Sequence, residues 1–449
     1  MAAFDAIAVA NNDEERGKFI RKLINERDEI VAFVDRRLGW GGTGEYRRFL
    51  KGSFNISFVV ERGSNGYKVL IRFPLPGRTY EQWREEKVTN EVMVIEHLRK
   101  YTTIPVPRVL SWGLACESPS HLGPFIIMEF VNGTDLDDLL RQPTENDQEE
   151  VILNPDIEEA KLDTFYDQIA DYMLQLSRLR FPRIGTISND STSGHQVVIG
   201  RPLTLDMNEL VTNTGHPVDK FPSAPFDRAT DYFEALSNTH MIHLRTQRNL
   251  ATSEVDARWR FIARHCFAQL IPKYCVDDSS FSLFGDDFRP ANMLADPDTL
   301  RITAVLDFEF TNAMPAQFAD DPPWWLLLLA PHIWLERGEK EKFLNNFVPR
   351  MKQFIRAVER AEASSPSTEQ PCLSARMRDS WDTGRFWFNY AARRSMDVDV
   401  VYWSVLHKEY GSCEMLDKKT RDEMDEVVQM KMKQLQAYQQ EKHNDARFT

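Results

Sequence analysis

The sequence predicts an α+β protein of two lobes, a small β-rich one followed by a larger, mainly helical one. Three patterns lead there. Between residues 48 and 76 apolar residues alternate with period two, the spacing of half-buried strands. From about residue 139 onward the spacing is mostly helical. Within that helical half, residues 284–310 break the pattern with a loop, a short strand, a turn and a second strand. A chain of 449 residues has room for both lobes, since a domain takes ~100–200 residues.

Taken in order, residues 13–39 place charged and apolar positions at helical spacing, predicting an amphipathic leading helix within an extension over 1–45. Phe54, Ile56 and Phe58, then Val69 and Ile71, predict a hairpin whose turn holds Gly63, Asn65 and Gly66. A helix is expected over 80–101, then a Pro-bounded strand region in TTIPVPRVLSWG and a buried strand in GPFIIMEFVNG. These make a first lobe over 46–132 and leave 133–449 as the helical lobe. Inside the latter, 144–161 is polar and acidic and predicts an exposed linker. Residues 183–230, rich in Ser, Thr, Asn, Pro and Gly, predict an irregular insertion. From Lys418 a charged helix is expected, fraying after Glu441.

Composition narrows the functional classes. With 42% hydrophobic and 11% aromatic residues the chain suits a soluble protein with a substantial core. A net charge of −13 argues against nucleic acid or an anionic membrane as partner. Five cysteines, an odd number without a C-x-x-C pair, read as reduced thiols rather than disulfides or a zinc site. The start MAAFDAIAVANNDEERGK lacks the basic opening of a secretory signal. The longest greasy run, PPWWLLLLAPHIWL, is too short and Pro-rich for a membrane span of ~20 residues. A cytoplasmic location is expected.

The chemistry concentrates in FGDDFRPANMLADPDTLRITAVLDFEF. Residues 293–295 are apolar, Asp296-Pro297-Asp298 is turn chemistry, and 301–306 is strand-like. Folded as a hairpin, this stretch returns Asp307 to Asn292, with Asp287 on the loop just upstream. Asp287 is then free to orient an attacking hydroxyl, while the Asn292 amide oxygen and the Asp307 carboxylate hold Mg²⁺ on nucleotide phosphates. Phosphoryl transfer needs that division of labour, because positioning and charge neutralisation supply most of the catalysis.

The spacing D-x-x-x-x-N followed by a strand ending in D-F-E resembles the catalytic loop and metal-binding segment of the protein-kinase-like fold, in its aminoglycoside phosphotransferase branch. The likeness runs from about residue 50 to 329. After Asp307, FEFTNAMPAQFADDPPWWLLL is similar to fungal members, as is the later SWDTGRFWFNYAARRSMDVDVVYW. The resemblance implies a bilobal fold, ATP and Mg²⁺ as cofactors, a small-molecule acceptor, Asp287 as catalytic residue, and Asn292 and Asp307 as metal ligands. Gly52 and Ser53, before a strand, are expected to bring backbone N–H groups to phosphate. Arg72 in KVLIRF stands where the family has a phosphate-contacting lysine. Glu91 lies on the apolar stripe of its helix with Ile95 and Leu98, where a carboxylate wants a cation; Arg72 is the candidate. Met128, Glu129 and Val131 are expected to border the adenine.

Two departures stand out. Gly285 replaces the histidine that normally packs the loop, and Arg289 stands where bacterial relatives often have histidine. The absence of an A-P-E segment argues against a protein kinase. The sequence therefore supports a phosphotransferase acting on an alcohol group of a small molecule, with a catalytically weak nucleotide-binding scaffold as the alternative. For the acceptor, Trp381, Phe386, Trp387 and Asp397 are the candidates, although aromatic residues on a helix also suit a core.

Overall fold

The computed structural model describes residues 4–63, 66–144, 149–189, 196–275, 277, 279–365, 371–407 and 416–448. The Asn65 position in the expected hairpin turn, Cys413 and residues 145–148 of the acidic linker fall outside these. The expected leading helix is two helices, α1 (Ala6–Asn25) and α2 (Arg27–Leu38), parted at Glu26 by a non-helical backbone. Gly39, at φ +66°, closes α2 with the left-handed turn that glycine adopts most cheaply.

Five antiparallel strands follow: β1 (Gly44–Lys51), β2 (Asn55–Arg62), β3 (Tyr67–Pro74), β4 (Val109–Gly113) and β5 (Phe125–Glu129), in sheet order β1-β2-β3-β5-β4. The period-two pattern sorts the two faces. Ile56, Phe58, Val60, Val69, Ile71, Phe73 and Ile127 face outward and pack under Ile30, Phe33 and Val34 of α2. The alternate positions Asn55, Ser57, Leu70, Arg72 and Met128 therefore face the opposite way, into a cleft. Across that face lies α3 (Arg84–Tyr101), seating Val88, Val92 and Ile95 on Ile126 and Met128.

The second lobe is helical. Helices Glu159–Ser177 and Lys340–Ser364 pack together in a core that also takes helices Ala229–Thr246 and Arg385–Ala392. Helix Lys418–Asn444 packs on Glu254–Gln269. The greasy run 322–335 is buried as turns leading into a short helix, Pro331–Glu336. Among the described residues no helix is long and apolar enough to cross a membrane.

The described residues of 183–230 are more ordered than their composition suggests. They hold a hairpin, Thr186–Asn189 with Gln196–Gly200, and a helix, Leu205–Thr214. This insertion ties the lobes together. Ile187 N–H donates to Asn90 Oδ1 at 3.2 Å, Asn208 holds Tyr80 N–H and Arg78 C=O, and Arg201 pairs with Glu86 at 2.9 Å. Short elements whose polar side chains find partners on a distant segment leave no periodic trace in the sequence.

Candidate active site

A cleft of about 620 Å³ lies between the sheet and the hairpin of the second lobe. Its walls include Gly52, Arg72, Glu91, Met128, Glu129, Val131, Asn292 and Asp307. The hairpin forms with the expected partners: strand Met293–Ala295 pairs antiparallel with Ile302–Val305, and Leu306 N–H donates to Asn292 C=O at 2.8 Å. That bond puts Asp307 beside Asn292, and Asp307 itself adopts φ +66°, unusual for a residue with a side chain.

Arg72 and Glu91 form the expected strand–helix ion pair, with only 2% of the Glu91 side chain exposed. Arg72 also reaches Asp307 at 3.6 Å. Burial alone would depress the guanidinium, but Glu91, Asp307 and Glu309 together hold its pKa above the ordinary value. The opposite happens at Asp307: burial, then the neighbouring Glu309 charge, push its carboxyl well above the usual carboxylate range despite Arg72.

A second buried pair stands one helical turn earlier on α3, and the sequence reading missed it. Lys87 pairs with Glu309, Lys87 Nζ donates to Asn55 Oδ1 at 3.0 Å, and Asn55 Nδ2 donates to Glu309 Oε2 at 2.7 Å. The available signal was the spacing of Lys87 and Glu91, four residues apart and so on one helix face.

The catalytic loop differs from expectation in its details. Asp287 is not free, for Oδ1 accepts from Arg289 Nε at 2.6 Å and Oδ2 from Asn292 Nδ2 at 2.8 Å. A carboxylate offers about four acceptor positions, so capacity for a substrate hydroxyl is left. At Gly285, where the family has a histidine, Thr311 would have to give way to any side chain. A Cβ at Gly285 would stand 2.5 Å from Thr311 Oγ1. Other contacts hold the loop instead: Arg393 pairs with Asp286 at 3.0 Å while stacked on Phe284 and Phe318, and Trp324 Nε1 donates to Asp286 C=O at 3.2 Å.

Between β1 and β2, Gly52 borders the cleft but Ser53 is exposed at the turn and lies outside its lining. The N–H of Glu129 is bonded to Arg108 C=O, and that of Phe130 to Lys68 C=O. Val131 has neither main-chain group engaged among the described residues, so it keeps hydrogen-bonding capacity at the cleft wall.

The expected acceptor aromatics are core. Phe386 and Trp387 are buried, Trp381 stacks on Phe347, and Trp387 meets Phe343 edge-on. Beyond Asp287, a polar cluster takes their place. Burial pushes the carboxyls of Glu209 and Asp397 up to about 7, and that of Asp206 up to about 6. Arg394 stacks on Trp324 and Tyr390 at 5.2 and 4.9 Å, and Asp397 contacts His332 at 3.2 Å.

The residues present suit a hard divalent cation. Asp307 Oδ1 is buried without a hydrogen-bond partner, and Asn292 spends its NH₂ on Asp287, leaving its carbonyl oxygen as a donor atom. Among the described residues no three His, Cys, Asp or Glu converge as an all-protein cage. Magnesium commonly takes few protein ligands and completes its shell with phosphates and water.

The model of the phosphotransferase enzyme family, APH, matches residues 45–318. The clavilactone A biosynthesis cluster protein Y of Ampulloclitocybe clavipes is 26% identical over 261 residues, and the chain spans 55% of that protein's length. A putative aminoglycoside phosphotransferase from Ralstonia eutropha is 15% identical, with TM-score 0.44, covering 92% of this chain and 98% of that one. An ethanolamine kinase of Plasmodium vivax is 12% identical, with TM-score 0.40, covering 88% and 82%. With the matched span holding the sheet, the Arg72–Glu91 pair and the Asp287–Asn292–Asp307 hairpin, the chain belongs to the phosphotransferase enzyme family.

Proposed function

We propose that the protein transfers the γ-phosphoryl group of ATP, with Mg²⁺, to a hydroxyl of a small molecule. The observation that carries this reading is that Asp307, Asn292 and Arg72 line one cleft, next to a loop carboxylate. Asn292 and Asp307 would hold the metal, which supplies charge neutralisation on the phosphates when bound. Arg72, fixed by Glu91, would meet phosphate oxygens through a rigid planar fork. Met128 and Val131 would border the base, with Gly52 near the phosphates. Asp287 would accept a hydrogen bond from the acceptor hydroxyl and so orient it for in-line attack. The acceptor would lie on the far side of Asp287, among Glu209, Trp324 and Arg394. The Arg289 clamp on Asp287 favours a second reading, nucleotide binding with little turnover.

Two measurements test these together. Mg-ATP is expected to raise thermal stability, by about 2.7 kcal/mol at ~100-fold over Kd, and Asp307→Ala to remove the metal-dependent part. Mass spectrometry of incubations with Mg-ATP and a panel of amino alcohols, sugars and hydroxy acids should reveal a product 80 Da heavier, the mass of one added HPO₃ group to about one dalton. Stabilisation without any product supports the second reading; no stabilisation by any nucleotide and metal sinks both.

A further inference from the structure

Three carboxylates crowd the inner end of the cleft: Glu91, Asp307 and Glu309 all act on Arg72. One arginine cannot balance them. The second cation is Lys87, fully buried, paired to Glu309 and hydrogen-bonded to Asn55. With Asp307 deprotonated, as metal ligation requires, three negative charges against two positive leave a net of one negative where a divalent cation would sit. Asn55, at the start of β2 and on the cleft wall, also donates to Glu309. The triangle Lys87–Glu309–Asn55 therefore joins three pieces: α3, the strand after the glycine turn, and the segment carrying Asp307 two residues before Glu309.

We propose that Lys87 is a positioning residue of the metal–phosphate site, holding Glu309 away from Arg72 and setting the net charge offered to the metal. It touches neither nucleotide nor metal; it acts through Glu309 and Asn55. Without Lys87, the nearest remaining cation for Glu309 is Arg72, and turning to it would compete with Glu91 and Asp307 for one guanidinium. The ladder has a fixed logic on α3: Glu91 takes the cation of β3, and Lys87, one turn away, takes the anion of the segment that follows Asp307. Both ion pairs are on one helix, so a shift of α3 would disturb the arginine and the metal segment together.

This inference rests on the nucleotide and Mg²⁺ reading above, and its test separates the two. Thermal melting of the full chain with ADP, over a titration of MgCl₂, gives the Mg²⁺ concentration for half-maximal stabilisation without knowledge of the acceptor. Glu309→Gln keeps the shape but brings the net charge to zero, and is expected to raise that midpoint roughly tenfold, since ligand charge count tunes cation affinity. Adding Lys87→Met restores the net of one negative and is expected to bring the midpoint back to within about twofold of wild type. A merely structural role predicts the reverse, because the second change removes a further buried contact. If the methionine variant does not fold, Lys87→Gln in the Glu309→Gln background tests the same charge balance. A responsive wild type whose double variant is no better than the single one overturns the role of Lys87. So does a single variant with an unchanged midpoint. A wild type with no Mg²⁺-dependent shift overturns the nucleotide reading and this inference together.

Discussion

On the sheet side of Asp287 the buried charges meet opposite charges at contact distance: Arg72 with Glu91 and Asp307, Lys87 with Glu309. On its far side Glu209 and Arg394 have no ion pair within 4 Å among the described residues, and Arg394 is held by aromatic faces. Carboxyls there are pushed up toward neutrality by burial. The difference lies in what fixes each half. Paired charges on strand and helix make a preorganised frame, of the kind a phosphate and metal site needs. On the far side Asp206 is held by Ser395 and Asp397 by His332, while Glu209 and Arg394 are left without an ion pair among the described residues.

The largest effect is expected at the boundary between the halves. Asp287→Asn should lower turnover ~10²–10⁴-fold, while the Mg²⁺- and ADP-dependent rise in melting temperature survives; equal turnover in both proteins would remove Asp287 from the chemistry. Next, Arg72→Met leaves the Glu91 carboxylate buried and unpaired, so chemical denaturation should show a loss of about 3–5 kcal/mol. A loss near zero would mean that the frame is not held by charge.

Gly285→His asks whether a more ordinary loop would serve better. With Thr311 already occupying the volume, overpacking should cost about 1–3 kcal/mol and slow any turnover; a stable, faster variant would contradict that packing. The smallest effect concerns pH. Glu209 and Asp397 have folded-state pKa values raised to about 7, so their contribution to stability is present at low pH and lost as pH rises through about 7. Burial lowers His216 to about 4, and His240 and His332 to about 3, so their contribution is present above the ordinary histidine value and lost as pH falls toward 4 and below. Stability should therefore peak slightly below neutrality. Between there and pH 8 it should fall by about 1 kcal/mol, a slope that Glu209→Gln combined with Asp397→Asn flattens. An unchanged slope in that double variant would place the titration elsewhere.

Much of the sheet side was legible because its signals are local. Alternation of Ile56 with Phe58 and of Val69 with Ile71 leaves Arg72 on the opposite face, and helical spacing places Glu91 on the apolar stripe. The hairpin between Asn292 and Asp307 is written in a turn of Asp296-Pro297-Asp298 between two short apolar runs. The acceptor half misled for the same reason. Trp381, Phe386 and Trp387 carry aromatic character that fits a pocket or a core equally, and only the packing of Phe343 and Phe347 against them decides for the core.

The sequence by itself thus determined the two-lobed α+β architecture and the hairpin that returns Asp307 to Asn292, since both follow from patterns along the chain. Tertiary structure alone decided the rest. Asn55 and Glu309 meet across 254 residues, Trp324 reaches Asp286 across 38, and Thr311 crowds position 285. Such contacts depend on where separate elements come to rest against one another, and no periodicity along a single segment encodes that distance.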